Sequence, residues 1–79
     1  MIKAVVVGRI QQLCEEKHLA VNALANMSGM TPSTLYSLLN DARKDIRIST
    51  IKKICDGLNI TILEFFDCEL FEGLEQEVV

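Results

Sequence analysis

Apolar residues recur at helical spacing along most of the chain. Val6, Ile10, Leu13 and Cys14 follow a 3.6-residue period, which predicts a first helix over about residues 4–17. The β-branched run Val5-Val6-Val7 and Gly8 weaken its first turn, and a short extended lead-in is compatible with them. Arg9 and Lys17 read as solvent-facing positions on this helix. His18-Leu19-Ala20 connects to a second helix over about 21–27, with Leu24 and Ala25 inward and no good side-chain cap at Ala20. Ser28-Gly29-Met30 predicts a tight turn, because Gly29 enters left-handed backbone geometry without a Cβ penalty. Thr31 then caps a third helix over about 32–39, and Pro32 suits its first position. Leu35 and Leu38 face inward there, leaving Ser33, Tyr36, Ser37 and Asn40 as a polar face.

The longest loop runs from Asn40 to Ile48 and is strongly charged. A fourth helix is expected with Ser49 as cap and Ile51, Ile54, Cys55 and Leu58 on one face. Asn59 suits a left-handed terminator. Thr61-Ile62-Leu63-Glu64 has the capping-box spacing and predicts a fifth helix from about 62. Phe66, Leu70, Phe71 and Leu74 continue at helical intervals, so this helix extends or a sixth turn follows.

These elements predict an all-α fold of five compact helices. With 79 residues and a single proline, the chain forms one small domain near the lower limit for an independent core. No stretch of about 18 apolar residues is present, so no membrane span is expected. The apolar start Met1–Val7 is too short for a secretory signal, which points to a cytoplasmic protein. Cys14, Cys55 and Cys68 are odd in number and match no zinc spacing; they read as buried thiols of a reducing compartment. His18, the single histidine, has no evident carboxylate or thiol partner and reads as structural. No catalytic constellation, metal site or cofactor motif is present, so an enzyme is not expected.

The net charge of −3 conceals a division along the chain. Residues 1–53 hold all eight Lys and Arg against four acids, a balance of +4. Residues 54–79 hold seven acids and no Lys or Arg, a balance of −7. The basic part contains the two helices joined by the Gly29 turn. Small Ala25, the glycine turn, the Thr31 cap and a polar third helix follow the logic of a helix-turn-helix over about 21–39, whose second helix is offered to the DNA major groove.

The residues Ile10…Leu13, Leu24-Ala25, Gly29-Met30-Thr31 and Ser33-Thr34-Leu35 carry a more specific resemblance. With Leu58-Asn59-Ile60-Thr61 and Glu64-Phe65-Phe66, they make the chain resemble the phage repressor and Cro type (XRE-like) of helix-turn-helix transcriptional regulator over about residues 7–67. Ser33–Asn40 together with Ile51–Leu58 looks like its small stand-alone bacterial members. The resemblance implies a lambda-repressor-like helix-turn-helix domain over 1–67. It leaves 68–79 as an acidic tail or helix extension.

The resemblance also implies double-stranded DNA as partner, with Pro32, Ser33, Thr34, Tyr36 and Ser37 nearest the bases. Thr31, Asn40, Arg43, Lys44 and Arg47 match positions that touch the DNA backbone. Val21 stands where the family often has Gln, and the third helix offers Pro and Ser where Gln or Arg is common. Recognition is therefore expected to lean on short hydroxyls, backbone contacts and DNA shape. Phe66, Leu70, Phe71 and Leu74 have two readings: closure of the core, or the two-fold contact of a homodimer.

The function that follows is a sequence-specific DNA-binding transcriptional regulator, a repressor acting as a homodimer on a two-fold symmetric operator. The alternative is a protein-interaction module of the same fold, antitoxin-like or an anti-regulator, with weak or no DNA binding. The overall acidity and Val21 are compatible with that second reading.

Overall fold

The computed structural model describes residues 2–76. In chain order it holds α1 (Ile2–Glu16), α2 (Val21–Met27), α3 (Pro32–Asn40), α4 (Ile48–Leu58), α5 (Ile62–Phe66) and a 3-10 turn (Glu69–Phe71). The final positions of the acidic tail, 77–79, lie outside the described residues. The all-α expectation holds, and the second and third helices fall where the apolar period put them. The first helix starts two residues earlier than expected, and the β-branched run is helical rather than extended. Burial of Val6 in the core offsets the low helix propensity of that turn.

Three helices end in one and the same way. His18, Gly29 and Asn59 have φ of 55°, 72° and 57°, the left-handed conformation that stops a helix. The next amide in each case reaches back to a carbonyl five residues earlier. Leu19 N–H donates to Cys14 O at 2.8 Å, Met30 N–H to Ala25 O at 3.0 Å, and Ile60 N–H to Cys55 O at 3.0 Å. Leu19, Met30 and Ile60 then pack against the core, as the apolar residue after such a stop usually does. Gly29 and Asn59 were legible as terminators; His18 serves the same purpose with a residue that tolerates this geometry less well.

The helix starts are more varied. Thr31 and Thr61 cap α3 and α5, and at α5 the box is reciprocal. Glu64 N–H donates to Thr61 Oγ1 at 3.0 Å, and Thr61 N–H to Glu64 Oε1 at 3.0 Å. Ala20 leaves α2 without a side-chain cap. The expected Ser49 cap is corrected: α4 begins at Ile48 with Arg47 in the cap position, and no side chain caps it. Ile51 N–H bonds the Arg47 carbonyl at 3.1 Å, so Ser49 already lies within the first helical turn.

The core gathers Ile10 from α1, Leu24 and Ala25 from α2, Leu35 from α3, Ile54 and Cys55 from α4 and Phe65 from α5. Phe65, Phe66 and Phe71 form a ring cluster, with Phe66 5.0 Å from each of the other two centroids. The 3-10 turn folds back on α1, where Leu70 Cδ1 lies 3.8 Å from where a Cβ on Gly8 would sit. Cys14 and Cys55 are buried, and burial pushes both thiols above their usual range. Cys68, expected in a buried helical setting, lies between α5 and the 3-10 turn and is half-buried.

Arg9 corrects the surface reading of α1: it is buried, only 9 % exposed. Its guanidinium crosses to the end of α5. Nε donates to Phe65 O at 2.7 Å and Nη2 to Glu64 O at 2.8 Å. Nη1 donates to Gln12 Oε1 at 2.7 Å. The last carbonyls of a helix lack intrahelical partners and carry partial negative charge, which suits a cation there. Arg9→Ala is expected to lower the unfolding free energy by about 2–3 kcal/mol, since it leaves those carbonyls without their charged donor. Urea unfolding followed by circular dichroism measures this, and a change under about 0.5 kcal/mol would show that water replaces the guanidinium freely.

Candidate functional site

The turn between α2 and α3 is held by local chemistry on one side and by α4 on the other. Thr34 N–H donates to Thr31 Oγ1 at 3.3 Å, and the Thr31 and Thr34 hydroxyls are 2.8 Å apart. Leu24, Ala25 and Leu35 anchor the two helices in the core with no exposed surface. At Gly57 of α4 the helices approach so closely that an added Cβ would lie 2.8 Å from Ser28 Oγ and 2.9 Å from the Met27 carbonyl oxygen. The Ser28 hydroxyl is buried at this contact with no hydrogen-bond partner among the described residues. Nothing in the sequence pattern distinguished Gly57 from an ordinary helical glycine.

With Leu35 buried, α3 turns its other side outward. Ser33, Thr34, Tyr36 and Asn40 are exposed, and Pro32 and Ser37 are half-buried beside them. The predicted base-reading set therefore shares one helix and one accessible side, with Thr31 at its amino end. The Thr34 and Ser33 hydroxyls lie 2.8 and 3.4 Å from Thr31 Oγ1, while Ser37 Oγ accepts from Lys44. Leu38, expected inward, is half-buried and lines the recess beside α3.

The loop that follows is folded against α3. Asp41 Oδ1 accepts from Arg43 N–H at 3.0 Å and from Arg43 Nε at 3.2 Å. The Arg43 guanidinium holds the Asp41 carboxyl below the usual carboxylate range. Arg43 itself remains open to solvent, so the pair orders the loop without hiding the cation. Lys3, which sequence reasoning did not single out, donates to the Asp41 carbonyl and ties the start of α1 to the end of α3. Lys44 Nζ donates to Ser37 Oγ at 2.6 Å. Arg47 is exposed at the uncapped start of α4. A cleft lined by Thr34, Leu38, Lys44, Asp45, Arg47 and Thr50 joins the loop to the side of α3.

This arrangement can donate hydrogen bonds and offer positive charge along one edge of an exposed helix. Arg43, Lys44 and Arg47 are brought to the loop beside α3. The Phe66, Leu70, Phe71 and Leu74 group belongs to other elements, around α5 and the 3-10 turn. Phe66 and Phe71 are engaged in the ring cluster, Leu74 is half-buried, and Leu70 is exposed. Among the described residues no group of three or more His, Cys, Asp or Glu is placed to hold a metal ion. No helix among them is long and apolar enough to cross a membrane.

The sequence profile of the Cro/C1-type helix-turn-helix DNA-binding domain matches residues 9–70. That span runs from the buried Arg9 through the turn, α3, the basic loop and α5 to Leu70. No curated protein and no solved structure matched the chain.

Because α4 presses on the turn through a residue without a side chain, Gly57→Ala tests how firmly the turn is held. Alanine gains up to about 1 kcal/mol of helix propensity, while overpacking against backbone costs about 1–3 kcal/mol. The expected outcome is a net loss of stability, with amide chemical-shift changes concentrated at residues 25–31. A stabilised variant would mean that the turn can withdraw from α4.

Proposed function

The chain belongs to the Cro/C1-type helix-turn-helix DNA-binding family, and we propose that it is a sequence-specific transcriptional repressor acting in the cytoplasm as a homodimer. It is a DNA-binding domain rather than an enzyme. The observation that supports the finer reading is the exposed polar side of α3 with the Arg43–Arg47 loop folded against it. In the proposed complex α3 enters the major groove. Pro32, Ser33, Thr34, Tyr36 and Ser37 face base edges, with the Tyr36 ring suited to a thymine methyl. Thr31, Asn40, Arg43 and Arg47 grip the flanking phosphates.

A second copy supplies the other half-site roughly 34 Å away, one helical turn along the duplex. The proposed contact between copies uses Leu70, Leu74 and the outer edges of Phe66 and Phe71. Occupying two successive grooves excludes polymerase, which is the mechanism of repression. The acidic residues after position 53 favour an orientation with that part of the chain away from phosphate. The protein-interaction reading would use exposed apolar side chains such as Leu63, 81 % exposed, and Ile48, 66 % exposed.

Selection of bound duplexes from a randomised library at about 50 mM salt, followed by sequencing, separates the two. A two-fold symmetric motif supports the dimeric regulator; absence of enrichment with a folded protein moves the assignment to the interaction module. On the recovered operator, Ser33→Ala with Tyr36→Ala should weaken binding by about 0.5–1.5 kcal/mol per lost base contact. Unchanged affinity in that double variant would remove α3 from the interface. Arg43→Ala should lower affinity on all sequences alike and reduce the slope of log K against log salt by about 0.9 per half-site. A slope equal to that of the unsubstituted protein would refute the phosphate contact.

A further inference from the structure

The outward side of α3 is short of reach. Ser33 and Ser37 carry single hydroxyls, Thr34 spends its own on Thr31, and Tyr36 is the one long side chain. None of them presents a fixed pair of donors to a guanine edge, the commonest specific contact in the major groove. The long cation that this helix lacks arrives from outside it.

Lys44 lies seven residues beyond Ser37, yet its ammonium donates to Ser37 Oγ at 2.6 Å. Its stem borders a recess of about 260 Å³ shared with Ser33, Thr34, Ser37 and Leu38. The backbone fixes where this side chain starts, since Lys44 N–H closes a turn onto Asp41 O at 3.1 Å. The nearby carboxylate of Asp41 is paired with Arg43, and Lys44 forms no ion pair among the described residues. One of its three N–H donors is used by Ser37, which leaves two for another acceptor.

We propose that Lys44 is a specificity-determining residue that reads a guanine in each half-site, reaching the base edge along Ser37 rather than gripping phosphate. The proposal rests on α3 being the recognition helix. A phosphate-gripping lysine extends away from the helix toward the strands that flank the groove. Lys44 instead runs back onto the polar side of α3, and guanine is the one base whose major-groove edge offers it two adjacent acceptors, O6 and N7. Adenine N7 and thymine O4 are single acceptors beside an amino donor and a methyl group respectively, and cytosine N4 is only a donor, so each satisfies the ammonium less well. Ser37 acts as the positioning residue: it holds the ammonium over the helix and limits the freedom of a flexible stem. Arg43, held outward by Asp41, and Arg47, at the start of α4, are left to the phosphates.

The test uses the full chain and the operator recovered by selection. Each base pair of one half-site is replaced in turn, and binding is measured for the unsubstituted protein and for Lys44→Met, which keeps the stem and removes the charge. The unsubstituted protein should prefer G·C at one position by roughly 5- to 100-fold. Lys44→Met should lose that preference and keep the others. Placing 7-deazaguanine at the same position, which removes N7, should weaken the unsubstituted protein and leave Lys44→Met unaffected. Lys44→Arg, whose guanidinium spans O6 and N7, should retain the preference.

A uniform loss across all half-site variants, with the salt slope falling by about 0.9 per half-site, would make Lys44 a phosphate contact and overturn the proposal. Equal binding by Lys44→Met and the unsubstituted protein at every position would overturn it as well. Failure of the underlying reading looks different: the unsubstituted protein itself would select no motif, and recognition by α3 and the role of Lys44 would fall together.

Discussion

The close approach of α4 to the end of α2 at Gly57 is the constraint on which the placement of α3 depends. A glycine there lets Ser28 and the Met27 carbonyl sit against the α4 backbone. Leu24, Ala25 and Ile54 are buried together with no exposed surface. The turn cannot move outward without opening that packing, and α3 is attached to the turn by only a few residues. Gly29 completes the arrangement in a different way, through a left-handed φ that few side chains tolerate. One glycine supplies proximity and the other supplies direction.

The same small core has to hold a charge. Arg9 is taken out of water with no carboxylate bonded to it among the described residues, and its partners there are two helix-terminal carbonyls and the Gln12 amide oxygen. Desolvating an unpartnered guanidinium would cost several kcal/mol, so these three acceptors are what make its burial tolerable. The contact connects α1 directly to α5. Gln12 also accepts from Cys68 Sγ at 3.6 Å, which brings the segment after α5 into the same network. An α5 of five residues is too short to be stable alone. It persists because its start is closed by Thr61 and Glu64 and its end by Arg9.

Charge is distributed along the chain so that the two ends of the domain have different chemistry. The basic loop between α3 and α4 is kept in place by its own acids: Asp41 anchors Arg43, and its carbonyl takes the Lys3 ammonium. An acid within a basic loop reduces its net charge, but here it also fixes the directions in which the cations extend. Arg43 is turned to solvent and Lys44 to α3. Two adjacent residues of like charge are therefore held in different directions by one aspartate and one serine.

Much of this was determined by the sequence alone. The helices follow from an apolar period of 3.6, and Thr31, Pro32, Thr61, Glu64, Gly29 and Asn59 mark boundaries because their chemistry is local. The helix-turn-helix and the polar side of α3 were legible for the same reason. What only the tertiary structure decided involves partners far apart in the chain. Arg9 looked like a surface residue because nothing near it in sequence shows that α5 will end beside it. Ser49 looked like a cap because its hydroxyl suits that position, but the helical hydrogen bonding already begins at the Arg47 carbonyl. Gly57 and Lys3 gave no signal, since their meaning lies in backbone 30 and 38 residues away respectively. Local hydrogen bonding and periodicity are written in neighbouring residues; close approach, buried charge and the direction of a lysine are set by how the helices meet.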